Sequence, residues 1–208
     1  MSTDFSLWSM PSSGNSYKVR LLLAHLGITY THHDAEMGTG VTQSTAFRAL
    51  KPDGKVPLVN FADGRLLRES NAICVYFGLG TDWLPDDRFA HASVMQWLFF
   101  EQYSHEPAIA VRAGILAYEE RAHLRTPEIL DPLLEKGHAA LATMERQLTQ
   151  TPFLIGDTPT LADLCLYAYT HSAGAKGGFE MQRFEAVNAW LDRVSALPGH
   201  VPLEWLPG

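Results

Sequence analysis

The 208 residues carry a formal net charge of −7, from 16 Lys and Arg against 23 Asp and Glu, and 46% of them are hydrophobic while 19% are charged. Such a chain supports one large core or two small ones and is too apolar to stay disordered. Its acidic balance, without any cluster of Lys or Arg, argues against a nucleic-acid partner, because neutralising phosphates takes clustered cations.

The opening stretch, MSTDFSLWSMPSSG, has neither the basic nor the continuous apolar region of a signal peptide. Nowhere does the chain run about 18 apolar residues without a charge, so no membrane span is expected and the cytoplasm is the expected location. Phe5 to Ser9, FSLWS, alternates apolar and polar residues as in a strand. A PSSGNS turn then leads into Val19, Leu22, Leu23 and Leu26, the spacing of a helix face, with Ser16 as the expected N-cap and Gly27 closing the helix. A short strand over 28–34, a Gly- and Thr-rich loop, a helix over 45–50 and the KPDGK turn follow. Strands over 56–61 and 65–67 flank the turn Ala62-Asp63-Gly64, and a helix opens at Glu69-Ser70 with Ile73, Tyr76 and Phe77 on one face. The order β-α-β-α-β-β-α predicts a small α/β domain over 1–79.

After a turn-rich linker at 80–86 the signals are helical throughout, which predicts an all-α domain over 87–208. Residues 91–119 form one long helix or a kinked pair, with Pro107 the expected bend. Leu134, Gly137, Leu141, Met144 and Leu148 make a second helical stripe. Leu161, Leu164, Cys165 and Ala168 make a third, and Val187, Trp190, Leu191 and Val194 a fourth. Cys74 and Cys165 lie in separate apolar segments and read as two buried thiols, so no metal site is expected.

Three short stretches carry chemistry. In KVPLV, Pro57 interrupts a strand-like run although proline has no N–H for a ladder. A trans proline on an edge strand explains it, and so does a cis proline that leaves the backbone of Val56 free to pair with an extended ligand. Glu69-Ser70 either merely caps a helix or forms a site in which the helix start and the Ser70 hydroxyl take a carboxylate while Glu69 takes an ammonium. The loop Ser12-Ser13-Gly14-Asn15-Ser16, at the carboxyl edge of the sheet, is either a flexible turn or a set of donors able to hold a thiolate. Lowering a thiol pKa from ~8.5 by ~2 units needs about 2.7 kcal/mol, within reach of one or two charge-assisted hydrogen bonds and a helix dipole.

In order and spacing, SGNSYKVRLLLAHLGI, LKPDGKVPLV, RESNAI and GDTPTLADLCL resemble the cytosolic glutathione transferases of bacterial type, the last as the family's capping box, with Thr160 and Asp163 bonded reciprocally. The resemblance implies a thioredoxin-like glutathione-binding domain followed by an all-α domain, and a detoxifying enzyme with glutathione as co-substrate. It implies a cis Pro57, Val56 paired to the cysteinyl backbone, Glu69 and Ser70 on the γ-glutamyl end, and Lys55 near the glycyl carboxylate. For the group that activates the thiol it ranks Ser13, then Asn15, then Ser12, while Leu7 and Trp8 occupy the place of a tyrosine-type residue.

It places a small apolar electrophile in a cleft beside the first long helix of the second domain, where Tyr103, His105 and Glu106 are the polar groups able to orient it; a dimer seam or the kink at Pro107 explains the same residues equally well. Trp97, Leu98, Phe99 and Phe100 are apolar all round a helical turn, and a homodimer is the simplest cover. Two other uses of the fold stand beside transfer. One is a non-catalytic protein-binding module, which tends to lose the residues retained at 56, 57, 69 and 70. The other is a glutathione-dependent isomerase or a disulfide or peroxide reductase. The maleylacetoacetate isomerase type is weakened by Ser13-Gly14-Asn15-Ser16 and Glu69-Ser70 where that type has SSCS and Gln-Ser.

Overall fold

The computed structural model describes residues 5–207, which form two compact units: the chain up to Leu79 together with Pro198 onward, and Gly80–Leu197. The closing residues, expected in the helical half, thus group with the first unit.

That unit contains strands β1 (Phe5–Ser9), β2 (Thr31–Asp34), β3 (Leu58–Phe61) and β4 (Leu66–Arg68), and helices α1 (Gly14–His25), α2 (Thr45–Leu50) and α3 (Ser70–Gly78). The sheet order is β2-β1-β3-β4, with β1 parallel to β2 and antiparallel to β3, and β3 antiparallel to β4. The expected element order holds. β3 starts at Leu58 rather than at Val56, so Pro57 stands before the ladder instead of interrupting it.

α1 is buried on nearly all sides: Tyr17 to Leu23 are inside without a break, Lys18 and Arg20 included. Its N-cap is Ser13, whose Oγ accepts from the Ser16 N–H at 3.3 Å. Ser16, the expected cap, is buried and its Oγ accepts instead from the Met10 N–H at 3.1 Å. Three further residues of the loop, Gly14 to Ser16, are thereby helical. At the other end Gly27 sits at φ 62° while its N–H reaches Ala24 O and the Ile28 N–H reaches Leu23 O, the paired bonds of a Schellman ending.

Residues from Pro198 onward lie against α1. The Tyr17 hydroxyl donates to Val201 O at 2.6 Å, His25 Nδ1 meets Pro198 O at 2.9 Å, and the Arg20 guanidinium donates to Leu203 O. Arg20 also donates to Ser9 Oγ, Met10 O and Pro11 O, at 3.0, 2.9 and 2.9 Å. One buried cation therefore links the end of β1, the loop after it and the closing residues. Burial pulls Arg20 below its ordinary pKa, against the opposing pull of Tyr30, Tyr17, Glu36 and Glu204.

The second unit contains α4 (Arg88–Phe100), α5 (Glu106–Ala117), α6 (Pro127–Leu148), α7 (Leu161–Thr170), α8 (Ala173–Gly177) and α9 (Glu185–Ser195). α4 and α5 are joined by a π-helical stretch, Glu101–His105. The wide turn stands just ahead of Pro107, so the ladder is already opened where the proline lacks its N–H. α7 is buried almost throughout and carries the reciprocal box: Asp163 accepts from the Thr160 N–H at 2.9 Å. The same carboxylate accepts from the Leu154 N–H at 3.0 Å and from Trp190 Nε1 at 2.9 Å, tying α7 to α9 and to the preceding loop. Leu134 and Leu191 of the expected stripes are only half-buried; Leu141, Met144, Leu164, Cys165, Val187, Trp190 and Val194 are wholly inside. On α4 Trp97 and Leu98 are buried while Phe99 is 67% exposed, so that turn does face two ways. Neither cysteine is in a disulfide and both are buried, as expected.

Candidate functional site in the first unit

The site is built where β1 hands over to α1, beside the start of α3. Both helices present their N-termini, whose first N–H groups have no intrahelical acceptor and whose dipoles favour negative charge. The Ser70 hydroxyl, at the first turn of α3, donates to Asn15 Oδ1, in the first turn of α1, at 3.1 Å. Lys18 Nζ donates to the same Asn15 oxygen at 2.8 Å and to Asn71 Oδ1 at 3.2 Å. Two segments 55 positions apart in sequence are thereby joined through side chains.

The three candidates for thiol activation occupy different positions. Ser12 donates through its N–H and its hydroxyl to the two oxygens of Glu36, at 2.9 and 2.8 Å, so its proton is committed to a carboxylate. Ser13 is half-buried, and its Oγ accepts from the helix while its hydroxyl proton is taken by no group among the described residues. Asn15 has its amide oxygen occupied by Lys18 and Ser70.

Val56–Pro57 is cis. Neither the N–H nor the C=O of Val56 takes part in a hydrogen bond among the described residues, which leaves a short backbone edge ahead of β3. Glu69 stands at φ 68°, a left-handed value that a non-glycine residue adopts at a cost of roughly 1–3 kcal/mol. Its carbonyl accepts from the Ile73 N–H at 2.9 Å, and its side chain, 73% exposed, lies 3.7 Å from Lys51 Nζ.

Lys55 is exposed and contributes only its N–H, to Asp53 at 3.1 Å. The lysine drawn inward is Lys51, four residues earlier, at 4% exposure and 3.0 Å from Asp53 Oδ2. Slight burial would raise the Asp53 carboxyl, but the Lys51 hydrogen bond and the Lys55 N–H outweigh it and hold the group below its ordinary value. Sequence reasoning passed over Lys51, Lys18, Glu36 and Asn71. A helix-ending lysine in LKPDGK and a lysine inside an apolar helical run were the only signs available.

The second unit does not gather Tyr103, His105 and Glu106. Tyr103 is 89% exposed and Glu106 half-buried, whereas His105 is wholly inside with Nε2 at 2.8 Å from Thr170 Oγ1. The Thr170 hydroxyl donates to Leu166 O, so it accepts from the imidazole. His105 serves the packing of α7 against the π-helical stretch. Among the described residues no group of His, Cys, Asp and Glu has the arrangement of a metal site, and no helix is long and apolar enough to cross a membrane.

A four-stranded mixed sheet with helices, a backbone edge ahead of β3, two converging helix N-termini and a helical second half define the glutathione-transferase fold. Residues 12–78 match the family model of the glutathione S-transferase N-terminal domain, and residues 117–193 that of its C-terminal domain. A crystal structure of glutathione S-transferase from Pseudomonas fluorescens is 42% identical, with a TM-score of 0.90 over 96% of this chain and 98% of its own. The glutathione S-transferase-like protein LUC7 of a Fusarium species is 34% identical over 161 residues, 71% of this chain and 69% of the relative. At 21% identity, a glutathione transferase family member from Pseudomonas fluorescens, crystallised with two glutathione bound, shares the fold with a TM-score of 0.84 over 95% of this chain and 90% of its own. The chain belongs to the glutathione S-transferase family.

Proposed function

We propose that the protein is a glutathione transferase that binds glutathione on its first unit and holds it as the thiolate for attack on a small apolar electrophile. The observation that carries this is the Ser70–Asn15 hydrogen bond, which brings the N-termini of α1 and α3 to one place. A tripeptide with a thiol in the middle and carboxylates at its ends needs such an arrangement. The start of α3 with Ser70 suits the γ-glutamyl carboxylate, the exposed Glu69 its ammonium group, and the unbonded edge of Val56 the cysteinyl backbone. Lys55, exposed, suits the glycyl carboxylate from outside.

Ser13 is the first choice for the thiolate donor. Its Oγ accepts from the helix backbone and its proton remains to be given. The thiolate then attacks the electrophilic carbon: a carbon–sulfur bond forms and a leaving group departs with the displaced electron pair, or, where the carbon is part of an activated double bond, the π pair moves to the neighbouring carbon, which takes a proton from water. The protein supplies the ionised sulfur and its orientation, and no general base is required. The exposed Phe89, Phe99 and Tyr103 on and after α4 support a homodimer that covers them, and two cysteines left out of any disulfide suit the cytoplasm.

Glutathione is titrated into the protein at pH 7 by calorimetry, with the bound thiolate followed by absorbance near 240 nm, for the wild type, Ser13→Ala and Asn15→Ala. One charge-assisted bond, about 1.5–3 kcal/mol, is worth roughly 1–2 pKa units. Ser13→Ala should therefore bind glutathione while losing most of the thiolate signal. A wild type that binds no glutathione at millimolar concentration refutes the reading and points to a protein partner instead.

A further inference from the structure

Lys51 caps the C-terminal end of α2 and is 4% exposed, and its ammonium stands between two carboxylates, 3.0 Å from Asp53 Oδ2 and 3.7 Å from Glu69 Oε1. Both acids lie outside it, with side chains 47% and 73% exposed. Water therefore screens the lysine less than it screens either acid. Lys55 and Arg68, the cations next along the chain from these acids, are exposed, and Arg68 gives a hydrogen bond to Leu50 O. Of the three, Lys51 alone is held inside. Glu69 is followed directly by Ser70 at the start of α3, and the ligand end that suits this pair carries an ammonium and a carboxylate on one carbon. Such a carboxylate enters the field of Glu69 and Asp53, two like charges, and Lys51 offsets one of them.

We propose that Lys51 is a specificity-determining residue for the γ-glutamyl end: its buried charge leaves this corner with one negative charge in place of two, so that the corner takes a zwitterionic amino-acid end in preference to a bare amine. The proposal rests on the site being a glutathione site. A neutral side chain at 51 would act with opposite sign on the two charged groups of the ligand, drawing the ammonium in more strongly and repelling the carboxylate. A lysine that merely held the KPDGK turn in shape would move every ligand the same way.

The test uses the full chain with three S-methylated ligands, at pH 7 and low ionic strength, read by calorimetry. They are S-methylglutathione, its 4-aminobutyryl analogue, which lacks the α-carboxylate, and its glutaryl analogue, which lacks the ammonium. Methylation removes the thiol, so its ionisation does not enter. In Lys51→Met the preference for S-methylglutathione over the 4-aminobutyryl ligand should fall at least about threefold, the order expected for one unit charge a few Å away. The glutaryl ligand should weaken by a similar factor while the 4-aminobutyryl ligand holds or tightens. Lys51→Arg keeps the charge and should keep the wild-type preferences. A folded Lys51→Met in which all three ligands weaken by one factor, or in which none changes, overturns the proposal. Should Lys51→Met not fold, Asp53→Asn decides. It removes an anion and keeps the lysine, so the preference for the ligands that bear the α-carboxylate should rise; a preference that stays or falls overturns the proposal. A wild type that binds neither glutathione nor S-methylglutathione at millimolar concentration overturns the site itself together with this role. A wild type that binds both, with preferences indifferent to residue 51, overturns the role of Lys51 alone.

Discussion

Replacing Asp163 with Ala removes the acceptor of four hydrogen bonds at once. Its carboxylate takes the N–H groups of Leu154 and Thr160, the Thr160 hydroxyl at 3.2 Å and Trp190 Nε1, all inside the helical unit. The hydroxyl can turn to another acceptor, but the three N–H donors are fixed by the backbone and by a Trp190 ring at 0% exposure. Each stranded donor costs about 1–3 kcal/mol, so the variant should lose roughly 3–6 kcal/mol after partial relaxation, a large share of the 5–15 kcal/mol that holds a typical protein folded. Thr160→Ala, which leaves the carboxylate and its other donors in place, should lose only about 1 kcal/mol, the ordinary value of an N-cap. Urea unfolding followed together by tryptophan fluorescence and far-UV circular dichroism measures both, and coincident transitions license the conversion to free energy. A loss below 1 kcal/mol for Asp163→Ala at unchanged m, or equal losses for the two variants, would refute the view that this carboxylate is the hub of α7, α9 and the loop between α6 and α7.

Two further outcomes are expected. In Gly137→Ala the added methyl would stand 2.2 Å from Cε1 and 2.6 Å from Cζ of the buried Phe179 ring, which is wedged against Gly177 on its other side. Overpacking of about 1–3 kcal/mol should outweigh the roughly 1 kcal/mol gained in helix propensity, and a higher melting temperature would contradict this. Burial pulls His32, His25 and His138 below the ordinary histidine pKa, for His32 with the Arg20 charge adding to it. The unfolded chain therefore takes up protons near pH 6.5 before the folded chain does, so stability is full above that pH and is lost as pH falls from it. The melting temperature should drop between pH 7 and pH 5.5, and less steeply in His32→Gln; identical slopes would remove His32 from the account.

What the sequence by itself determined is what depends on near neighbours. The strand and helix order, the limits of α2, the ending of α1 at Gly27 and the Thr160–Asp163 box all rest on hydrogen bonds and side-chain periods that span at most a few residues, so a short stretch carries the whole instruction. The ordered motifs carried the family for the same reason, because each is a local segment.

Tertiary structure alone decided which polar groups meet. Lys51 rather than Lys55 turns inward, bonded to Asp53 and brought within 3.7 Å of Glu69, eighteen positions later. That Ser13 and not Ser16 caps α1 depends on the Met10 N–H claiming the Ser16 hydroxyl. That Ser12 is spent on Glu36, that Arg20 joins the loop to Leu203, and that Lys18 sits among Asn15, Ser70 and Asn71 are contacts between segments that only the fold brings together. His105 shows the converse, a polar residue whose sequence fits a substrate contact, a dimer seam or the kink at Pro107 equally well and whose imidazole meets Thr170 inside the helical core. A charged or polar side chain goes where its desolvation is offset by partners, and those partners are set by packing at long range rather than by the residues beside it.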